Sequence, residues 1–147
     1  MTYAITFALH APFPLLNKQL RMHYRTRKNR QRQLMHEIAE QTRGRRPVQP
    51  VPFALIRVER YSVGTPDLDG LYGGVKALLD CLTTPRATKP RTVFGKASVR
   101  NPMGLSFVVD DDPAHILLEV VHVKATRALQ RTVVTIEEVA RDLQVAA

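Results

Sequence analysis

Between residues 68 and 82 the chain places Leu68, Leu71, Tyr72, Val75, Leu78, Leu79 and Leu82 at offsets 0, 3, 4, 7, 10, 11 and 14, one continuous apolar stripe. Residues three and four apart stack on one side of an α-helix, so this spacing predicts a helix with a single buried face. Such a helix needs an apolar surface to lie on, and the rest of the chain offers one. Tyr3, Ile5, Phe7 and Leu9 alternate with Ala4, Thr6 and Ala8, the period of a strand with one buried face, until Pro12 and Pro14 end it. The long helix is therefore expected to pack on a sheet.

Further elements follow from the same reasoning. Met22 to Thr42 is rich in helix formers, with Leu34, Met35 and Ile38 as a narrow apolar seam. Pro47, Pro50 and Pro52 break the chain before a branched and aromatic run, Phe53 to Val58, which predicts a second strand. Leu105 to Val109, Ile116 to Val123 and Thr132 to Ile136 are three more strand candidates, and Glu137 to Val145 suggests a short terminal helix. Residues 83 to 104 hold Pro85, Pro90 and Pro102 and read as a long mobile loop. The order β, α, β, α, β, β, β predicts an α/β (α+β) fold, a mixed sheet with two main helices, and 147 residues suit a single domain spanning 1-147. No internal repeat is present, and strand order is not readable.

Charge narrows the function. With 22 Lys+Arg against 13 Asp+Glu the formal net charge is +9 and the pI is near 10.3, which favours a polyanionic partner. The basic segment 18-46 carries Lys18, Arg21, Arg25, Arg27, Lys28, Arg30, Arg32, Arg43, Arg45 and Arg46 against only Glu37 and Glu40. A merely solvated helix face would mix the signs to limit self-repulsion, so nucleic acid is the expected contact. The loop 83-104 adds Arg86, Lys89, Arg91, Lys96 and Arg100 with no acid. No apolar run approaches the ~18 residues of a membrane span, and the N-terminus lacks a secretory pattern, so a cytoplasmic protein without membrane partners is expected. Cys81 is the only cysteine, which excludes an internal disulfide and a multi-cysteine zinc site; on an apolar helix face it reads as a buried structural thiol.

In a basic chain the few acids should spread out, yet Asp67, Asp69, Asp110, Asp111 and Asp112 form two clusters. Asp67 and Asp69 open the stripe helix, where a carboxylate caps free N-H groups and meets the positive end of the dipole. Capping needs only one of them. Three consecutive acids after Phe107-Val108-Val109 are costly unless something cationic neutralises them. If the two clusters meet, Asp67, Asp69, Asp110 and Asp111 make an all-oxygen site of the kind Mg2+ prefers, with Mn2+ able to substitute. Lys76, ~10 Å along the helix from Asp69, is placed to neutralise charge on a scissile phosphate.

Other residues carry less. His115 and His122 are seven apart on a predicted strand and face opposite sides, and His10, His23 and His36 belong to no motif. Gly73-Gly74 costs about 1 kcal/mol per residue inside a helix relative to Ala, which points to close approach of another backbone or of DNA. Tyr72 is expected in the core.

Taken together, the run Pro66-Asp67-Leu68-Asp69-Gly70-Leu71-Tyr72-Gly73-Gly74-Val75-Lys76-Ala77-Leu78-Leu79-Asp80 and the later Val109-Asp110-Asp111-Asp112-Pro113 resemble the RusA-type Holliday-junction resolvases of phages and prophages. The early Leu16-Asn17, then Arg21, His23-Tyr24 and the basic run, is similar to the N-terminal part of that family. The resemblance covers most of the chain and leaves Thr83 to Gly104 outside. It implies a RusA-like fold and a Mg2+-dependent homodimeric endonuclease that nicks four-way DNA junctions. It also implies that Asp67, Asp69, Lys76 and Asp111 are catalytic and that Asp67, Asp69, Asp110 and Asp111 bind metal, while the charge of the basic segment makes Lys18, Arg21, Arg25, Arg27, Lys28, Arg30 and Arg32, with Asn17 beside them, the expected DNA contacts. Gly70 stands where the family has Asn, and Lys76 lies three residues further from the turn than in shorter members. The alternative is a non-catalytic branched-DNA-binding protein that keeps the fold. Nucleases of the Pro-Asp…(Asp/Glu)-x-Lys type share the Pro66-Asp67 start but require a strand-end Asp-x-Lys or Glu-x-Lys that is missing here. An RNA-binding module would have few stacking platforms, with aromatics at 6%.

Overall fold

The computed structural model describes residues 2–140, and these build one four-stranded sheet covered on one face by helices. Strands β1 (Ala4–Leu9), β2 (Ala54–Ser62), β5 (Ile116–Lys124) and β6 (Arg131–Glu138) lie in the order β1-β6-β2-β5. β6 runs antiparallel to both β1 and β2, and β2 runs parallel to β5. The parallel pair needs a crossover, and residues 63–115 supply it with helices α3 (Leu68–Gly74) and α4 (Lys76–Leu82). α1 (Leu16–Leu20) and α2 (Tyr24–Gln41) complete the helical layer.

Register explains which face is buried. Ile5 pairs with Ile136, which pairs with Ile56, which pairs with Leu118; Phe7, Val134, Val58 and Val120 form the neighbouring row. These rows carry the core, onto which α4 sets Leu78, Leu79 and Leu82 and α2 sets Ile38. One residue out of phase, Thr6, Thr135, Arg57 and Glu119 form a polar row across the other face, joined by a Thr6–Thr135 hydroxyl contact at 3.2 Å and an Arg57–Glu119 ion pair at 3.1 Å. The predicted fold class and the strands at 3–9, 53–58, 116–123 and 132–136 are thus observed, with β2 running four residues further, to Ser62.

Four expectations need correction. The helix predicted through 68–82 is interrupted at Val75, and its apolar stripe is split: Leu71, Val75, Leu78, Leu79 and Leu82 are buried, whereas Leu68 is 72% and Tyr72 44% exposed. Tyr72 therefore stands at the surface, its hydroxyl accepting from the Val120 N-H at 3.4 Å. Leu105 to Val109 is no strand, because Ser106 takes a positive φ of 62° and a single bridge, Val51 to Val108, is all that pairs there. The loop 83–104 contains a hairpin, β3 (Arg86–Thr88) and β4 (Ser98–Arg100). Of the predicted terminal helix, Glu137 and Glu138 belong to β6 and residues 141–147 lie outside the described residues.

The glycine pair is explained by packing. A Cβ on Gly74 would lie 2.5 Å from the Pro14 carbonyl oxygen and 3.0 Å from Leu15 Cα, so the backbone entering α1 crosses directly over α3. Gly74→Ala is expected to lower stability by about 1–3 kcal/mol through overpacking, despite the better helix propensity of alanine. Urea unfolding checks this, and an unchanged or higher midpoint would mean that residues 13–16 yield freely.

Among the described residues no helix is long and apolar enough to cross a membrane.

Candidate active site

The last carbonyls of a helix have no partner within it, and at the end of α4 the segment 105–108 supplies them. Leu105 N donates to Cys81 O at 2.9 Å, Ser106 N to Thr83 O at 3.1 Å, and Phe107 N and Val108 N to Leu82 O at 3.0 and 3.1 Å. Phe107 and Val108 are fully buried, so the chain that follows leaves a fixed anchor and delivers Asp110 and Asp111 alongside α4. There the Lys76 ammonium, in the first turn of α4, donates to Asp80 Oδ1 at 2.8 Å and to Asp111 Oδ2.

The three consecutive acids are each satisfied differently. Asp111 is joined to Lys76. Asp110 accepts from the Asp111 N-H at 2.8 Å and lies 3.7 Å from the Arg86 guanidinium. Asp112 accepts from the Ala114 N-H at 3.0 Å and meets His115 Nδ1 at 2.6 Å. Burial works to raise the Asp111 carboxyl, but the hydrogen bond and charge of Lys76 outweigh it and hold it below the ordinary carboxylate value. Burial likewise works to lower Lys76, and its hydrogen bonds to Asp111 and Asp80 outweigh that and raise it.

The first cluster behaves as a helix start. Asp67 caps α3, its Oδ1 accepting from Gly70 N at 2.8 Å, and Asp69 lies exposed in the first turn. A Cβ at Gly70 would stand 2.7 Å from that capping oxygen, so a side chain there would force the cap to shift. As a donor set, Asp67, Asp69, Asp110 and Asp111 are chemically suited to Mg2+. In arrangement they are not gathered, since among the described residues no three carboxylate, imidazole or thiol groups come together as a cation-holding group. The cation in place beside Asp111 is Lys76.

The basic segment forms the other half of the site. Asn17, Lys18, Arg21, Arg25, Arg27, Lys28, Arg30 and Arg32 are all exposed, and among the described residues none of these cations is ion-paired. A cavity of about 780 Å³ lies between this segment and α4, lined by Lys18, Arg27, Lys28 and Arg30 on one side and by Lys76 and Asp80 on the other.

His115 precedes β5 instead of lying on it and joins the cluster only at its edge, through Asp112, whereas His122 Nε2 faces the Ser62 hydroxyl at 3.1 Å and stays apart from it. Asp80 closes the run from Pro66 but has no role assigned by the sequence, and Arg86 reads there only as one of the basic loop residues. The four-residue spacing of Lys76 and Asp80 on a helix was the available signal; Arg86 had none. Cys81 is fully buried, with desolvation first and the nearby Asp80 charge second pushing its thiol up to about 12. Native protein at pH 8 is therefore expected to resist iodoacetamide until denatured, and rapid alkylation of the folded chain would refute this.

Fold and site together define a mixed α/β protein in which a lysine–carboxylate cluster borders a basic groove. Comparison with protein-family models, with curated proteins and with solved structures finds no match to this chain.

Proposed function

We propose that this chain is a metal-dependent, structure-selective DNA endonuclease of the RusA type, acting on four-way junctions. The observation that carries the reading is the shared cavity: unpaired cations of α1 and α2 and the Lys76–Asp80 pair of α4 line one groove. A phosphate backbone drawn along Lys18, Arg27, Lys28 and Arg30 is led to that cluster. Lys76 would neutralise charge on the scissile phosphate, while Asp67, Asp69, Asp110 and Asp111 would hold Mg2+ or Mn2+. An ion held by those carboxylates would polarise a phosphoryl oxygen and lower the pKa of the attacking water. A homodimer would set two such sites, each on a chain of net charge +9, against the crossing strands.

One observation favours the rival reading, a branched-DNA-binding protein without turnover: Asp111 and Asp110 are already paired with the cations of Lys76 and Arg86, and Asp112 with the His115 ring. A synthetic four-way junction incubated with Mg2+ separates the two. The endonuclease nicks it, and the nicks vanish with EDTA or with Asp69→Asn, a change at an exposed side chain that leaves the fold intact. Tight binding with no nicks, indifferent to Asp69→Asn, would establish the rival.

A further inference from the structure

Apart from Arg86 at its base, which pairs with Asp110, the hairpin that interrupts residues 83–104 is used by nothing described so far. β3 and β4 pair only through Arg86–Arg100, Ala87–Val99 and Thr88–Ser98, and a two-stranded hairpin alone is marginal in water. At its tip a turn closed by Gly95 N donating to Thr92 O at 3.0 Å holds out Val93 and Phe94, which are 95% and 97% exposed. Two adjacent apolar side chains held out at the tip of a turn and set beside a cluster of cations make a contact surface, which one exposed residue alone would not. Behind the tip, Lys89, Arg91 and Lys96 line a cavity of about 470 Å³ together with Thr88, Thr92 and Ser98. Three cations and three hydroxyls with no acid suit a phosphate, and they disfavour a second copy of this basic chain. The base of the hairpin is tied to the candidate active site, since Arg86 reaches Asp110 at 3.7 Å and Thr84 Oγ1 donates to Val108 O at 2.8 Å.

We infer that residues 86–100 form a DNA-engaging arm: the basic cavity takes a backbone phosphate and Phe94 stacks on the base-pair face left open at the branch point. This rests on DNA being the partner of the groove, and it adds the feature that distinguishes branched from linear DNA. A linear duplex offers phosphates but no open base face, so the cavity serves both substrates and Phe94 only one.

Fluorescence polarisation of the full chain in EDTA, where no cleavage occurs, tests it on a labelled four-way junction and a linear duplex of equal length. Phe94→Ala is expected to weaken junction binding roughly tenfold, the scale of base–aromatic stacking, and to leave duplex binding within about twofold; Phe94→Trp restores it. Lys89→Ala with Lys96→Ala is expected to weaken both and to flatten the salt dependence of log affinity by up to about two. Wild-type chain that binds the junction with an affinity Phe94→Ala does not change overturns the arm and leaves the groove reading standing. Wild-type chain that binds neither DNA overturns both. Phe94-dependent binding to phosphatidylserine vesicles, with junction binding unaffected, would assign the tip to a lipid surface and overturn the DNA arm.

Discussion

Lys76→Ala is expected to reduce junction nicking by about 10²–10³-fold, the usual consequence of removing one preorganised group that stabilises developing charge. The ammonium sits between Asp80 and Asp111 and borders the groove, so its loss removes the positive charge nearest the proposed scissile phosphate. Binding should fall far less, because Lys18, Arg27, Lys28 and Arg30 still line the groove. Stability should fall modestly: Lys76 is more than half exposed, but its partners Asp80 and Asp111 are only 20% and 12% exposed and lose their counter-charge. The small contribution that exists has a defined pH window. The lowered Asp111 carboxyl contributes above the ordinary carboxylate pKa of about 4 and loses its share as pH falls through the depressed value. The raised Lys76 contributes below the ordinary lysine pKa of about 10.4 and loses its share as pH rises through the elevated value. Full nicking by a Lys76→Ala enzyme would remove the lysine from the chemistry.

Phe107→Ala is expected to cost about 3–5 kcal/mol, the range for emptying a buried aromatic site. Phe107 is fully buried and stacks on Phe7 with centroids 6.1 Å apart. Its backbone also joins three parts of the molecule, donating to Leu82 O at 3.0 Å and accepting from Val51 N at 2.8 Å. Against a total stability of about 5–15 kcal/mol, such a loss brings the chain near unfolding. It should also loosen the anchor that delivers Asp111 to Lys76. The contrast is Phe94→Ala, a surface change expected to stay within about 0.5 kcal/mol. Chemical denaturation of the two variants measures the difference, and equal midpoints would contradict the assignment of Phe107 to the core.

The strands were legible because their pattern repeats locally: the alternation of Ile5, Phe7 and Leu9 states which side is buried whatever lies beside it. The stripe from Leu68 to Leu82 was legible as helix but not as two helices, and the crossing of residues 13–16 over Gly74, beside the break at Val75, is a contact that no local pattern shows. Leu105 to Val109 misled for a related reason. Its branched residues suit a strand, but its N-H groups are taken by the last carbonyls of α4, and Ser106 turns the chain to allow it. At the site, the sequence marked Lys76 and Asp111 individually, and helical spacing could have joined Lys76 to Asp80. It could not reveal that Arg86 and His115 share the acid cluster with Lys76, because two of those three pairings form only in the folded chain. The clustering of Asp110, Asp111 and Asp112, read as a need for metal, is first met by the cations of Lys76 and Arg86 and by hydrogen bonds to Asp112.

Whether a cation replaces them is decided most directly by anomalous diffraction from a crystal of this protein soaked in Mn2+. A peak held by Asp111 and at least one of Asp67, Asp69 and Asp110, with the Lys76 ammonium withdrawn from Asp111, is the predicted result. A cluster that stays manganese-free while Lys76 remains bound between Asp80 and Asp111 would contradict it.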